Sequence, residues 1–164
     1  MSELKSDKTT ETKRRVLIVD DHPVFRHGIT ALINAEQDLE VCGEAASSPT
    51  ALEAMRTLNP DVALLDISLP GTNGIELIKL MKAEQPKLPL LMLSMHDESL
   101  YALRALKAGA LGYVMKAEAL THVLDALRKV LKGDIYVSPR LSERLIFQAI
   151  QTADGGSGSP VDRL

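Results

Sequence analysis

Five side chains in this sequence stand directly after, or at the very end of, short apolar runs, and together they could handle a phosphoryl group. Asp20 and Asp21 follow Val16-Leu17-Ile18-Val19, and Asp66 follows Val62-Ala63-Leu64-Leu65. Ser94 follows Leu90-Leu91-Met92-Leu93, and Lys116 follows Tyr113-Val114-Met115. Three carboxylates brought to one place repel one another unless a cation neutralises them. Oxygen donors without a histidine or cysteine cluster favour Mg²⁺ over zinc. A hydroxyl and an ammonium beside such a metal complete a set able to bind and stabilise a phosphoryl group. Each residue alone has a plainer explanation. An Asp after a strand is commonly a turn or cap residue, adjacent acids suit a helix start, and a lysine can snorkel from a strand end. Their shared position at strand ends is what argues for one site.

The elements that must position them are legible from the hydrophobic pattern. Continuous apolar runs without polar alternation predict strands buried on both faces, and hence a parallel sheet. A fifth run surrounds Val41-Cys42-Gly43. Helical periods fill the gaps. Pro23 starts a helix with Phe25, Ile29, Leu32 and Ile33 inward, and Ser48-Pro49 open one with Leu52, Met55 and Leu58 inward. Asn73 is placed to cap a third, with Leu77, Ile78 and Met81 inward. The fourth carries Leu100, Leu103 and Leu106 and ends near Gly109; the fifth carries Leu120, Val123, Leu124, Leu127 and Leu131 and ends near Gly133. Strands alternating with helices predict an α/β fold. The expectation is an open, doubly wound, five-stranded parallel sheet. If its order is 2-1-3-4-5, the crevice at the switch point lies between strands one and three, beside Asp20-Asp21 and Asp66.

After Gly133 the pattern changes. Ser138-Pro139 reads as a cap and first turn, and Leu141, Leu145 and Ala149 share one face of a sixth helix. Asp154-Gly155-Gly156-Ser157-Gly158-Ser159-Pro160 has the composition of a flexible linker. Residues 1–13 are polar and read as a disordered tail. The domain expectation is therefore a tail over 1–13, a main domain over 14–133, a linker with a sixth helix over 134–152, and a flexible linker over 153–164.

Composition narrows the function classes. Apolar residues make up 45% and charged residues 25%, an ordinary globular balance, while aromatics at 3% make the core aliphatic. A net charge of -3 gives no electrostatic footprint for nucleic acid in this part of the molecule. One cysteine, Cys42, excludes an internal disulfide and fits a reducing compartment. No apolar run reaches the length of a membrane span, and no signal peptide is apparent. The expectation is a cytoplasmic domain that does not engage membranes.

At this point the residues carry a resemblance. Val16-Leu17-Ile18-Val19-Asp20-Asp21-His22-Pro23, Leu64-Leu65-Asp66-Ile67-Ser68-Leu69-Pro70-Gly71, Leu93-Ser94 and Gly112-Tyr113-Val114-Met115-Lys116 resemble response-regulator receiver domains. The Asp-Asp-His-Pro opening, and Ser94 followed by Met95-His96-Asp97, resemble the NarL/LuxR (FixJ-like) subgroup, whose output domain is a helix-turn-helix. The order and spacing hold from about Arg14 to Gly133, and as a set they are specific. The resemblance implies a flavodoxin-like receiver whose Asp66 accepts a phosphoryl group from a sensor histidine kinase. It implies that Asp21 binds Mg²⁺ directly, with Asp20 assisting and Asp66 and the Ser68 backbone carbonyl completing the protein ligands. Lys116 would pair with the phosphoryl oxygens, Ser94 would hydrogen-bond one of them, and Tyr113 holds the aromatic switch position. Control of transcription would run through a homodimer and a C-terminal DNA-binding domain that is absent from this chain, the Ser159–Leu164 tail resembling the approach to it. Met95 is bulkier than the small residue frequent at its place, and Ala117 stands where Pro is common. The resemblance also implies that Ser68 and His96 would stand at places that tune acyl-phosphate hydrolysis.

Three other readings use the same residues. An aspartate-dependent phosphohydrolase of the haloacid-dehalogenase type would place its nucleophile in an Asp-x-Asp pattern after the first strand, whereas Asp20 and Asp21 are adjacent. A receiver-like dimerisation or interaction module that never takes phosphate would not need the full set of side chains. A flavin-binding protein would want a Ser-, Thr- and Gly-rich loop after strand one, where acids would repel phosphate. His22, His27, His96 and His122 lie in different elements and read as surface or cap residues rather than a metal set.

Overall fold

The computed structural model describes residues 12–66, 74–95 and 99–158. Strands and helices alternate as the apolar pattern requires: β1 (Arg14–Val19), α1 (Pro23–Asn34), β2 (Leu39–Ala45), α2 (Ser48–Leu58), β3 (Val62–Asp66), α3 (Gly74–Glu84), β4 (Leu90–Ser94), α4 (Ser99–Ala108) and β5 (Gly112–Met115). A single 3-10 turn (Lys116–Glu118) leads into α5 (Ala119–Leu131), and then come β6 (Tyr136–Val137) and α6 (Pro139–Gly158).

The sheet is wholly parallel, in the order β2-β1-β3-β4-β5-β6. Its first five strands follow the expected 2-1-3-4-5 order, but it has six strands, not five. Gly133, with φ of 90°, ends α5 in a left-handed turn that a side chain would strain. The chain then returns along β5, pairing Gly112 with Tyr136 and Tyr113 with Val137. A two-residue strand is too short to show a period, so only the tertiary pairing defines it.

Alternation along each strand divides the core in two. Val16, Ile18, Val62, Leu64, Leu91, Leu93 and Val114 face α1 and α5, packing on Ile29, Ile33, Val123, Ala126, Leu127 and Val130. Leu17, Val19, Ala63, Leu65, Leu90, Met92 and Tyr113 face the other layer, which holds Met55, Leu77, Ile78, Met81, Ala102 and Ala105. Burying both faces of the sheet supplies the main drive for folding, at roughly 1.5–3 kcal/mol per large aliphatic side chain.

Several inward expectations shift. In α4 the residues fully buried are Ala102 and Ala105, while Leu103 and Leu106 are half-buried. Small side chains let that helix lie close to the sheet. Leu120, at the first turn of α5, is exposed, and so is Ala149 in α6. The cap of α2 is Ser47, one residue earlier than Ser48. Ser47 and Thr50 form a reciprocal capping box, the Thr50 N–H donating to the Ser47 hydroxyl at 3.4 Å. Asn73 lies outside the described residues. At α6 the Ser138 hydroxyl accepts the Leu141 N–H at 3.1 Å, and Leu141 is buried against the core. The helix continues through Gly158, across much of the segment that composition assigns to a linker.

Candidate functional site

Parallel register aligns the ends of four strands. Val19 pairs with Leu65, so Asp20 and Asp66 leave neighbouring strands at the same level. Asp66 is opposite Leu93, and Ser94 is opposite Met115, immediately before Lys116. Asp20, Asp66, Ser94 and Lys116 are all buried at this carboxyl edge. Ligand atoms of Asp20, Asp21, His22 and Asp66 lie within 4.8 Å of one another. Five of the seven residues expected at the site thus share one edge of the sheet. Ser68 and His96 lie outside the described residues. Tyr113 is buried at 1% exposure on the layer that contains Leu141, so its ring is turned inward in this structure.

Lys116 is the electrostatic centre. Its Nζ stands 2.8 Å from Asp20 Oδ2 and 3.1 Å from Asp66 Oδ2, and 4.5 Å above the centre of the Phe25 ring. An ammonium is held there by two carboxylates and an aromatic face. Because it is a strand-end lysine with a 3-10 turn behind it, its stem is fixed while its head reaches the aspartates. Asp20 is fixed as well. Its Oδ1 accepts the His22 backbone N–H at 2.7 Å, and its carbonyl accepts from Arg26 Nη1 at 2.6 Å. Arg26 is held in turn by Glu44 at 2.7 Å.

The donor set fits a hard divalent cation. Asp21 Oδ1 is buried and accepts no hydrogen bond, and Asp20 Oδ2 meets Lys116 as an ion pair without a well-directed hydrogen bond. A buried carboxylate oxygen without a hydrogen bond, such as Asp21 Oδ1, favours a nearby cation. Asp20, Asp21 and Asp66 supply three hard oxygen donors converging from two strand ends. Cys42 offers no competing nucleophile: burial pushes its thiol above the ordinary range, which keeps it protonated.

Three neighbours had no place in the sequence-based site. His22 holds the cap position of α1, as expected of a cap residue, yet its ring lies among the acids. Nδ1 is 3.0 Å from Asp20 Oδ1, 3.3 Å from Asp21 Oδ1 and 3.5 Å from Asp66 Oδ2. Its direct succession to Asp20-Asp21 was the available signal. Phe25, expected only as a core residue, also carries Lys116 on its face, and Arg26 clamps the end of β1. Their positions in the first turn of α1 become informative only once that helix is known to start over the strand end.

Comparison with known proteins agrees with this architecture. The family model for the response regulator receiver domain matches residues 16–128. The chain belongs to that family. It is 35% identical over 150 residues to the response regulator GacA of Pseudomonas protegens, covering 92% of this chain and 69% of GacA. The crystal structure of a LuxR-family two-component response regulator from Aurantimonas superposes with a TM-score of 0.80 at 32% identity, covering 85% of this chain and 99% of that one. The signal receiver domain of the putative response regulator NarL from Mycobacterium tuberculosis gives a TM-score of 0.70 at 35% identity, over 74% of this chain and 98% of the other. The chain is therefore a receiver of two-component response regulators of the NarL/LuxR kind, a family of signalling modules. Among the described residues, no helix is long and apolar enough to cross a membrane.

Proposed function

We propose that this receiver takes a phosphoryl group on Asp66 from a sensor histidine kinase and so switches a surface that governs transcription. The observation that carries the reading is the buried Asp66–Lys116 contact, at 3.1 Å, beside the Asp20-Asp21 pair. In the transfer, a carboxylate oxygen of Asp66 bonds to phosphorus as the bond from phosphorus to the kinase imidazole breaks. The released ring nitrogen keeps the electron pair, and an acyl phosphate forms on Asp66. Positioning and charge neutralisation do most of the work in such a transfer. Lys116 is placed to exchange its contact with Asp66 Oδ2 for one with a phosphoryl oxygen. Ser94, at the adjoining strand end, is the hydroxyl positioned to follow.

Asp21, Asp20, Asp66 and the Ser68 backbone carbonyl would hold Mg²⁺. When bound, that ion supplies positive charge opposite the transferring oxygens. New contacts between the phosphoryl group, Ser94 and Lys116 would differ between two packings of β4, α4 and β5. A switch requires such differential contacts, and Tyr113, next in the sheet to Met92, is the residue through which we infer that the change spreads.

The output reading is a homodimer that places paired DNA-binding domains on half-sites, with the DNA contact made by a C-terminal domain outside this chain. Ile146, Phe147 and Ile150 of α6 are 58%, 60% and 55% exposed, an apolar stripe consistent with a covered surface in the assembly. A cytoplasmic location belongs to the same proposal. The test is intact mass after incubation with Mg²⁺ and acetyl phosphate. A gain of one phosphoryl group, lost in Asp66→Asn and without Mg²⁺, is expected. No gain under conditions that modify another receiver overturns the reading in favour of a phosphate-independent interaction module.

A further inference from the structure

Helices α3 and α4 leave a groove of about 460 Å³ between them, with Lys79 on one wall and Arg104 and Lys107 on the other. Its floor is apolar: Ile75, Tyr101 and Ala108 are half-buried and pack against the hydrophobic core. The three cations are exposed, and among the described residues none of them meets a carboxylate in an ion pair. Arginines elsewhere on the surface do: Arg26 meets Glu44, Arg56 meets Glu84, and Arg128 meets Glu36 and Asp38. A lysine in the last turn of a helix offsets the helix dipole, which accounts for Lys107. Lys79 and Arg104 stand in the middle of their helices, where the dipole favours no charge. The groove therefore gathers positive charge that nothing in its own lining balances fully, in a chain whose net charge is -3.

We propose that this groove is a docking site for an acidic, amphipathic segment of a partner protein, whose carboxylates meet Lys79 and Arg104 from the two walls while an apolar side chain lies on Ile75 and Tyr101. The proposal goes beyond phosphoryl transfer at Asp66 and does not depend on it. Clustered arginine and lysine bind carboxylates through charge-assisted hydrogen bonds, and the arginine fork can do so with two parallel bonds. An apolar floor adds affinity that charge alone does not give, and it keeps water from the ion pairs above it. A nucleic acid fits this groove less well. Glu76 stands on the same lining and opposes closely spaced phosphates, and the net negative charge of the chain repels a polyanion from a distance. A peptide carries fewer charges, and its backbone N–H groups are donors that a carboxylate such as Glu76 can accept.

The test selects a random peptide display library on the parent chain and removes from it whatever binds a chain carrying both Lys79→Glu and Arg104→Glu. The peptides that survive should combine Asp or Glu with large apolar residues. They are then synthesised with a fluorescent label and titrated by anisotropy. Lys79→Glu and Arg104→Glu should each weaken binding about tenfold or more, because each replaces an attraction with a repulsion. Lys129→Glu, the same charge change at an exposed position on α5, should weaken it by less than about twofold. Replacing the apolar residues of the peptide by serine should also cost about tenfold or more. No enrichment, enriched peptides without acidic residues, or equal losses in Lys129→Glu and the two groove variants overturn the proposal. So does tripolyphosphate or a short single-stranded DNA that binds as tightly as the peptides, since the groove would then attract any anion. These substitutions change exposed side chains, and circular dichroism confirms that each variant is folded.

Discussion

Replacing Asp21 by Asn should stabilise the protein without metal and destabilise it, relative to the parent, with metal. Ligand atoms in the cluster lie within 4.8 Å of one another. At that separation one like charge costs about 1 kcal/mol at the dielectric of water and about 3.5 kcal/mol at an effective value near 20. Asp21 shares the cluster with two carboxylates, Asp20 and Asp66, and one ammonium, Lys116, so it experiences roughly one net like charge. Its side chain is 29% exposed, which puts the effect toward the lower figure. Asp21→Asn should therefore raise the unfolding free energy by about 1 kcal/mol in chelator-treated buffer. Adding Mg²⁺ to about ten times its dissociation constant stabilises the parent by about 1.4 kcal/mol through mass action. The variant, lacking the direct ligand, should gain little. Urea titrations with and without Mg²⁺ would then show the order of stability reversing. If Asp21→Asn is the less stable chain in metal-free buffer and responds to Mg²⁺ as the parent does, the carboxylate-repulsion argument and the ligand assignment both fall.

Two further predictions concern the scaffold. Arg128 on α5 ties the turn before β2, its Nε donating to Asp38 Oδ2 at 2.9 Å and its Nη2 to Glu36 Oε1 at 2.6 Å. Hydrogen bonding to Arg128 holds the Asp38 carboxyl below the usual range, so its stabilisation is present above the unfolded carboxylate value and lost as pH falls through the lower folded one. Because Asp38 is exposed, Arg128→Met should cost under about 1 kcal/mol near neutral pH, and urea midpoints of parent and variant should converge in acid. Gly112→Ala should cost about 1–3 kcal/mol by thermal or urea unfolding. A Cβ there would meet Leu91 Cδ1 at 2.6 Å and the Tyr136 carbonyl at 3.1 Å, and the β6 backbone cannot yield without leaving β5.

The apolar runs in this sequence are enough to place Asp20, Asp66, Ser94 and Lys116 at strand ends. Buried parallel strands need continuous apolar residues, and the first polar residue marks where each strand leaves the core. Right-handed crossovers then leave few orders for the sheet, and the observed order of its first five strands was among them. Helix faces were less legible. Alanines pack as closely as leucines when a helix lies near the sheet, so Ala102 and Ala105 displaced Leu103 and Leu106 from the centre of the α4 contact.

What only the tertiary structure decided is how the neighbours of the strand ends meet. Lys116 and His22 are 94 residues apart in sequence, yet their nitrogens lie 3.1 Å apart. No local preference encodes that contact; it exists because β5 and the start of α1 are brought to the same edge by strands between them. The Phe25 ring under Lys116 and the pairing of β6 with β5 have the same origin. Residue type and strand position determined which groups could do phosphoryl chemistry. Packing of distant segments determined which of them touch, which are buried, and that a histidine ring joins the acids.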